Sequence, residues 1–278
     1  MQREPGNYLS FHFSIRHRLI AKVSGMFQKV SYTQRHGLIK GMKRQGGMGF
    51  VPAVFTKFEE QTQEFAFFSN LKLNGKVAYD IGAFEGIFTL FFSRRAKMVI
   101  AYEPNPASYR RAHENLRLNG IGNVTLRQAG VSDQNGALKF VVNHLMPGGA
   151  SAEPSVARQI GATSKNVSEF LVNVVRLDDD IRQYSLPAPD FVKIDVEGLE
   201  NAVLRGMVET IQKHHPEIYI EVHGSTYEEK EQTAAGLVSF LAGQGYGRIL
   251  HIESGKFVTL ENSSIAREGH IYCPKPTG

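Results

Sequence analysis

From Lys76 onward the chain alternates short apolar runs with stretches of helical periodicity. "KVAYDI" (76–81), "MVIAYE" (98–103), "NVTLRQA" (123–129), "FVKIDV" (191–196) and "EIYIEV" (217–222) are short and rich in β-branched and aromatic residues. Helical segments follow the first two, the fourth and the fifth. Near-continuous apolar strands separated by helices predict a parallel sheet covered on both faces. The rhythm breaks between Gly136 and Leu177, where "LKFVVN" and "LVNVVRL" read as strands flanking a long loop, an insertion over about 144–168. The tail offers "YGRILHIES" and "GHIYCPK", which predict a terminal β-hairpin.

Ahead of the sheet, "SIRHRLIAKVSGMFQKV" (14–30) repeats Ile15, Leu19, Val23 and Phe27 at helical spacing with basic residues between them. "GMKRQGGMGF" (41–50) reads as a linker or flap, and "FTKFEEQTQEFAFFSNL" (55–71) as another helix. Residues 1–70 are thus expected to form a helical extension, a substrate cap or an oligomer contact, ahead of a domain over 71–278.

Composition changes this picture in three places. A hydrophobic share of 42% with 21% charged residues is ordinary for a globular domain and excludes disordered and fibrous classes. Cys273 is the single cysteine, so an intramolecular disulfide framework and multi-cysteine zinc sites are excluded. With no run of 18 apolar residues and no leader-like start, a cytoplasmic location is the expectation. The net charge of +5 is uneven, with ten Lys/Arg and the single acid Glu4 in residues 1–58. That field suits an anionic substrate, nucleic acid, a peripheral membrane contact or a homodimer interface, or is simply a solvated face.

The chemistry concentrates after the first strand, at "YDIGAFEGIF" (79–88). Ligands in open parallel sheets bind beyond the carboxyl ends of the strands, where the first strand enters a turn and a helix. Gly82 and Gly86 stand four apart, whereas a dinucleotide fingerprint needs G-x-G-x-x-G, and no Lys-Ser/Thr pair follows as in a phosphate loop. Asp80 and Glu85 beside the turn would repel phosphate, so the ligand end there is expected to be cationic or zwitterionic. Glu103, at the end of the second strand, stands where a carboxylate accepts bonds from ribose hydroxyls, and Asn105 reads as an N-cap before Pro106. A ribose without a pyrophosphate fits S-adenosylmethionine.

"YDIGAFEGIFTLFFS", "VIAYEPNPASYRRAHENLRLNGIGNVTL", "GGAS", "VVRLDDDI" and "DFVKIDVEGLENAVLRGM" together resemble the FkbM family of S-adenosylmethionine-dependent methyltransferases, from about Asn74 to Gly224. The resemblance implies a class I methyltransferase fold. Its mostly parallel sheet has seven strands in the order 3-2-1-4-5-7-6, the seventh antiparallel, with helices on both faces. It also implies that Asp80, Gly82, Glu85 and Gly86 line the methionine end of the cofactor and that Glu103, with Asn105 beside it, holds the ribose. Val131 or Ser132 would lie against adenine. Phe84 stands where the family often has His or Asn. Family members methylate hydroxyls of sugars, glycolipids, glycopeptides or polyketides, so the implied acceptor is a small molecule or a glycan.

Two further stretches supply chemistry for methyl transfer to a hydroxyl, which needs a base within reach. Asp195 and Glu197 are two apart in "KIDVEG", and Glu221 and His223 are two apart in "YIEVHG"; period-2 alternation puts each pair on one side of its strand. His223 is the expected general base, with Asp195 or Glu197 orienting it or the acceptor. The same groups could hold magnesium or manganese, a reading placed below the metal-free one. A nucleic-acid (RNA) methyltransferase is opposed by "IDVEG" where an Asn/Asp-Pro-Pro-Tyr-like motif would stand, and a non-catalytic binding module by the retention of the whole constellation. "LDDDI" (177–181) reads as a helix start with acids in its first turn.

Overall fold

The structure, a computed structural model, describes residues 30–46, 58–143, 150–151 and 167–276. Its centre is a sheet whose strands are β3 (Val77–Ile81), β4 (Met98–Tyr102), β5 (Val124–Arg127), β10 (Phe191–Ile194), β11 (Glu217–Glu221), β12 (Leu250–His251), β13 (Lys256–Phe257) and β14 (His270–Cys273). The order across the sheet is β13-β12-β14-β11-β10-β3-β4-β5. β5 through β11 run parallel, and β14 is antiparallel to β11. Without β13, this is the 3-2-1-4-5-7-6 order expected of a class I methyltransferase. The two-residue β13 makes the sheet eight-stranded rather than seven. The tail strands do pair, β12 with β14, but a 3-10 helix over Leu260–Arg267 stands between them in place of a tight turn.

Strand alternation divides the apolar side chains between two layers. Tyr79, Ile100, Val192 and Ile218 enter one buried cluster, and their neighbours Ala78, Val99, Phe191 and Tyr219 the other. The first cluster is closed by α5 (Glu200–Gly206), α6 (Val208–His214) and α7 (Tyr227–Gly243), the second by α1 (Gln63–Asn70) and α2 (Ile87–Ser93). Phe68 of α1 is fully buried against Phe88, Phe91, Phe92 and Tyr219, so α1 is part of the core. The helix expected over 55–71 is interrupted: a 3-10 turn, Phe58–Gln61, ends at Thr62, whose hydroxyl accepts the Phe65 N–H and caps α1.

α3 (Pro106–Leu118) begins as read, with the Asn105 side chain accepting the Ala107 N–H and Pro106 in its first turn. α4 (Leu177–Tyr184) carries Asp178, Asp179 and Asp180 in its first turn. Two of these acids are structural. Asp178 accepts from the Glu209 and Thr210 N–H groups and the Thr210 hydroxyl, while Asp180 takes a bidentate bond from Arg127 and another from the Tyr102 hydroxyl.

The strands around the insertion form a separate sheet. β7 (Gly136–Asn143) and β9 (Val167–Val175) pair antiparallel along β7's whole length, with β6 (Gly130–Val131) and β8 (Ala150–Ser151) on the outer sides. The rest of the 144–166 loop lies outside the described residues, as do the helix expected over 14–29 and residues 47–50 of the expected linker. Residues 41–46 of that linker are ordered otherwise than read. β1 (Ser31–Thr33) and β2 (Lys43–Gln45) form an antiparallel hairpin that docks on α3, the N–H groups of Lys43 and Gln45 donating to Asn119 and Asn115. Among the described residues no helix is long and apolar enough to cross a membrane.

Gly82 fixes how closely the end of β3 meets β10. Its φ is +87°, and a Cβ there would stand 1.8 Å from the Asp195 carbonyl oxygen. Gly82→Ala is therefore expected to cost about 3 kcal/mol or more, since backbone must move. Gly75→Ala, at φ +76° with open space around it, is expected to cost only about 1–2 kcal/mol. Urea denaturation of the two variants checks the contrast; equal midpoints would show that the close approach is not the constraint.

Candidate active site

The turn between β3 and α2 holds the first group of candidate residues. Its form comes from three successive anchors: Gly82 and Ala83 donate their N–H groups to the Tyr102 carbonyl, Phe84 donates to Glu103, and Gly86 donates to the Ala83 carbonyl. Phe84 sits at φ +49°, unusual for an aromatic residue, with its side chain 37% exposed in the turn. Gly86 caps α2 at φ +81°, 3.2 Å from Ala112 of α3 for an added Cβ, so a side chain there would press on the neighbouring helix.

The acids of this turn do different things. Glu103 is buried; Oε2 accepts the Phe84 N–H at 2.7 Å and Oε1 the Asn105 N–H at 2.8 Å. Burial lifts its pKa to about 7, against the pull of those two N–H groups. Each oxygen keeps a lone pair that can accept a further hydrogen bond. Asp80 does not reach the surface of the turn: it is fully buried, bonded to the Thr89 hydroxyl at 2.5 Å, with Oδ1 unpaired among the described residues and 4.0 Å from Lys193 Nζ. Burial raises its pKa. Glu85 turns away toward the N-terminal hairpin, where Arg44 at 2.8 Å and Arg111 at 3.2 Å neutralise it. The geometry therefore gives Asp80 and Glu85 structural partners and leaves Gly82, Phe84 and Glu103 on the turn itself.

Val131 and Ser132 close the other end. Both are buried; Ser132 donates its N–H to the Val175 carbonyl, and its own carbonyl lies against Gly206 of α5, where an added Cβ would stand 2.0 Å away. This segment is thus built by close backbone packing, as the Gly82 turn is.

The second group converges at the carboxyl ends of β10 and β11, as the paired spacing predicts. His223 lies among four carboxylates. Its Nε2 is 3.5 Å from Glu221, 3.8 Å from Asp195 and 3.9 Å from Glu197, and its Nδ1 is 2.8 Å from Glu200. Burial alone would lower the imidazole pKa, but Glu200, Glu221 and Glu197 outweigh it and hold it well above the usual value, so the ring is a cation at neutral pH. That departs from the neutral imidazole expected of a general base. Glu197, at φ +29°, is raised by burial and by Asp195, Glu221 and Glu200 to about 7, with His223 pulling the other way. Its side chain is 41% exposed, so water screens part of that effect.

Three residues of this edge escape a motif reading. Lys193 is buried beneath it, donating to Asp195 at 2.8 Å with its ammonium 4.5 Å from the Phe88 ring centroid; Asp195 and Asp80 hold its pKa up against burial. Lys193 and Asp195 are two apart, so the alternation that pairs Asp195 with Glu197 carries this signal too. Glu200 carries none, because its contact with His223 crosses from one strand-end loop to another. His270 pairs with Glu221 across β14 and β11 and stands 3.4 Å from Glu64 of α1, 3.6 Å from Glu221 and 2.6 Å from Glu253. Burial opposes its charge, yet the hydrogen bonds it donates to Glu221 and Glu253 raise its pKa to about 10. Glu221 thus faces two imidazolium rings and is held below the usual carboxylate range despite burial.

Asp195, Glu221 and His223 each offer one ligand atom, all within 4.8 Å of one another, so these three could hold a metal ion. The Lys193 ammonium on Asp195 and the two imidazolium rings already supply positive charge to the same carboxylates.

Comparison with known proteins agrees with the geometry. The family model described as "Methyltransferase FkbM domain" matches residues 80–247, from the end of β3 to just beyond α7. Hexuronic acid methyltransferase AglP of Haloferax volcanii is 26% identical over 210 residues, covering 76% of each chain. 31-O-demethyl-FK506 methyltransferase FkbM of Streptomyces tacrolimicus is 28% identical over 196 residues, 62% of this chain and 73% of that one. Methyltransferase 1 of Beauveria bassiana is 29% identical over 141 residues, 46% of this chain and 57% of that protein's length. With a class I sheet, a glycine turn at the end of its first strand and a family match over more than half its length, this chain belongs to the FkbM methyltransferases.

Proposed function

We propose that the protein transfers a methyl group from S-adenosylmethionine to a hydroxyl of a sugar, glycoside or related natural product. The observation that carries this reading is the contact between the two groups of residues. The Gly82 turn packs against the Asp195 carbonyl, so a cofactor seated on the turn presents its reactive end to the Asp195, Glu197, Glu221 and His223 edge. The O positions in the printed names of two relatives, 31-O-demethyl-FK506 methyltransferase FkbM and "2-O-methyltransferase NoeI", support an oxygen acceptor, and the name of AglP supports an acceptor of the sugar class.

In this reading Gly82, Gly86 and the Phe84 backbone seat the methionine end, Glu103 accepts the ribose hydroxyls, and Val131 and Ser132 lie against adenine. The cofactor supplies an electrophilic methyl on a cationic sulfur. The chain's own part is to orient the acceptor oxygen and take its proton. Glu197 suits the proton, because its raised pKa matches neutral pH and its side chain reaches solvent. His223 then serves as the fixed cation that holds Glu197, Asp195 and Glu221 together against their mutual repulsion. The roles expected from the spacing, a histidine base oriented by carboxylates, are exchanged.

Labelled S-adenosylmethionine with a panel of glycosides tests the reaction class. On an accepted glycoside, Glu197→Gln is expected to lower turnover roughly 100- to 10,000-fold. A base must be ionised, so wild-type turnover should rise with pH and level off above about 7. His223 lowers the Glu197 pKa, so His223→Gln should move that rise to higher pH without removing it. If the rise survives in Glu197→Gln and vanishes in His223→Gln, the histidine is the base.

Glu103→Gln is expected to weaken S-adenosylhomocysteine binding at least about tenfold, by roughly the value of one charge-assisted hydrogen bond. The same variant reads out the buried carboxyl. A raised folded-state pKa stabilises the protonated fold at low pH, and that contribution disappears as pH climbs from the unfolded value near 4.5 through about 7. Wild type should therefore lose stability over that window relative to Glu103→Gln, as followed by denaturant midpoints.

The three ligand atoms within 4.8 Å favour a second reading, in which a divalent cation holds two acceptor oxygens at this edge. Full activity after exhaustive chelation supports the metal-free site; loss of activity restored by magnesium or manganese establishes the other.

A further inference from the structure

The two stretches that form the acceptor edge are separate loops, one after β10 and one after β11, and the Glu200 carboxylate makes a short hydrogen bond between them. Glu200, at the start of α5, is fully buried. Its Oε1 accepts the Gly198 N–H at 3.0 Å and lies 2.8 Å from His223 Nδ1, while Oε2 has no hydrogen-bond partner among the described residues. Burying a carboxylate with one oxygen unpaired is costly and calls for a compensating role.

The local backbone shows what that role acts on. Glu197 and Gly198 both lie in the left-handed region, at φ +29° and +95°, and Glu197 is a residue for which that conformation is strained. The Gly198 N–H bond to Glu200 closes this turn. The same oxygen faces Nδ1 of a histidine two residues beyond β11. With the ring an imidazolium, Nδ1–H donates to this oxygen and Nε2 is aimed at Glu221, Asp195 and Glu197.

The geometry points to Glu200 as the positioning residue of the acceptor edge. It fixes the ring orientation and Nδ1 proton of His223 and, through the same oxygen, the turn that presents Glu197. The inference rests on the active-site reading above, but the contact it concerns can be observed without an acceptor.

The test uses three full-length variants, Glu200→Gln, Glu200→Asp and Glu200→Ala, labelled with nitrogen-15 and studied with and without S-adenosylhomocysteine. Glutamine keeps an oxygen that can accept from both Gly198 and Nδ1 but removes the negative charge that strengthens the Nδ1–H bond. Its expected signature is a changed His223 ring spectrum, the Nδ1–H resonance displaced by the weaker, uncharged acceptor, with Gly198 amide exchange little altered. Alanine removes both bonds, so it should also speed Gly198 amide exchange at least about tenfold. Aspartate, one methylene shorter, should restore the Nδ1–H resonance in part. S-adenosylhomocysteine affinity should stay within about threefold of wild type in glutamine and aspartate variants that retain the wild-type melting cooperativity. An unchanged His223 ring spectrum in Glu200→Gln overturns the proposal. So does a loss of more than about tenfold in S-adenosylhomocysteine affinity in step with the ring change, which would make Glu200 a prop of the cofactor site. A wild-type protein that does not bind S-adenosylhomocysteine at all would instead refute the cofactor reading, and the ring spectrum would still decide the role of Glu200.

Discussion

The architecture depends on how closely two parallel strands end beside each other. β3 and β10 pair residue for residue, Asp80 with Lys193 and Ile81 with Ile194, and the next residues, Gly82 and Asp195, meet with no room for a side chain. Everything chemical is hung from that junction. In the proposed reading the turn that leaves β3 is the cofactor seat and the turn that leaves β10 the acceptor edge, so their separation is set by backbone packing and not by flexible side chains. The segment after β6 repeats the device, with the Ser132 carbonyl against Gly206.

Burial on this scale brings charge inside at a cost. Lys193 is almost entirely buried and is tolerable only because Asp195 and Asp80 surround its ammonium. Above it, carboxylates and imidazolium rings alternate: Asp195, His223, Glu221, His270, then Glu253. No member can be removed without leaving a neighbour underpaired. The ordering also explains why isolated residue types mislead here. A histidine near neutrality is ordinarily the natural proton acceptor, but ringed by acids it stays charged, and the glutamate crowded among them becomes the group that titrates near neutral pH.

Much of this was legible from local pattern. The strands of the parallel sheet announce themselves because both of their faces are buried, and the Asn105–Pro106 start of α3 is written in adjacent residues. Period-2 spacing brought Asp195 with Glu197 and Glu221 with His223 to one edge. What stayed hidden depends on contacts between distant segments. The partner of Glu85 is Arg44, 41 residues earlier; that of His223 is Glu200, 23 residues earlier; and Glu64 reaches Tyr219 across 155 residues. The helix over 55–71 was misjudged for a local reason: Thr62 uses its hydroxyl as a cap, which starts a new helix instead of continuing an old one. The eighth strand, two residues long, is too short for any periodicity to mark it.

The N-terminal hairpin sets a limit on where the protein can be cut. Arg44 is buried against Glu85, and the Gln45 and Lys43 N–H groups occupy the side chains of Asn115 and Asn119 on α3. A minimal domain begun at Lys76, where the sheet starts, would strand Glu85 in the turn after β3 and open the outer face of α3. It would also discard α1, whose Phe68 fills the core and whose Glu64 faces His270. The smallest self-sufficient catalytic unit therefore starts ahead of Ser31, well before the first residue that any methyltransferase motif identifies.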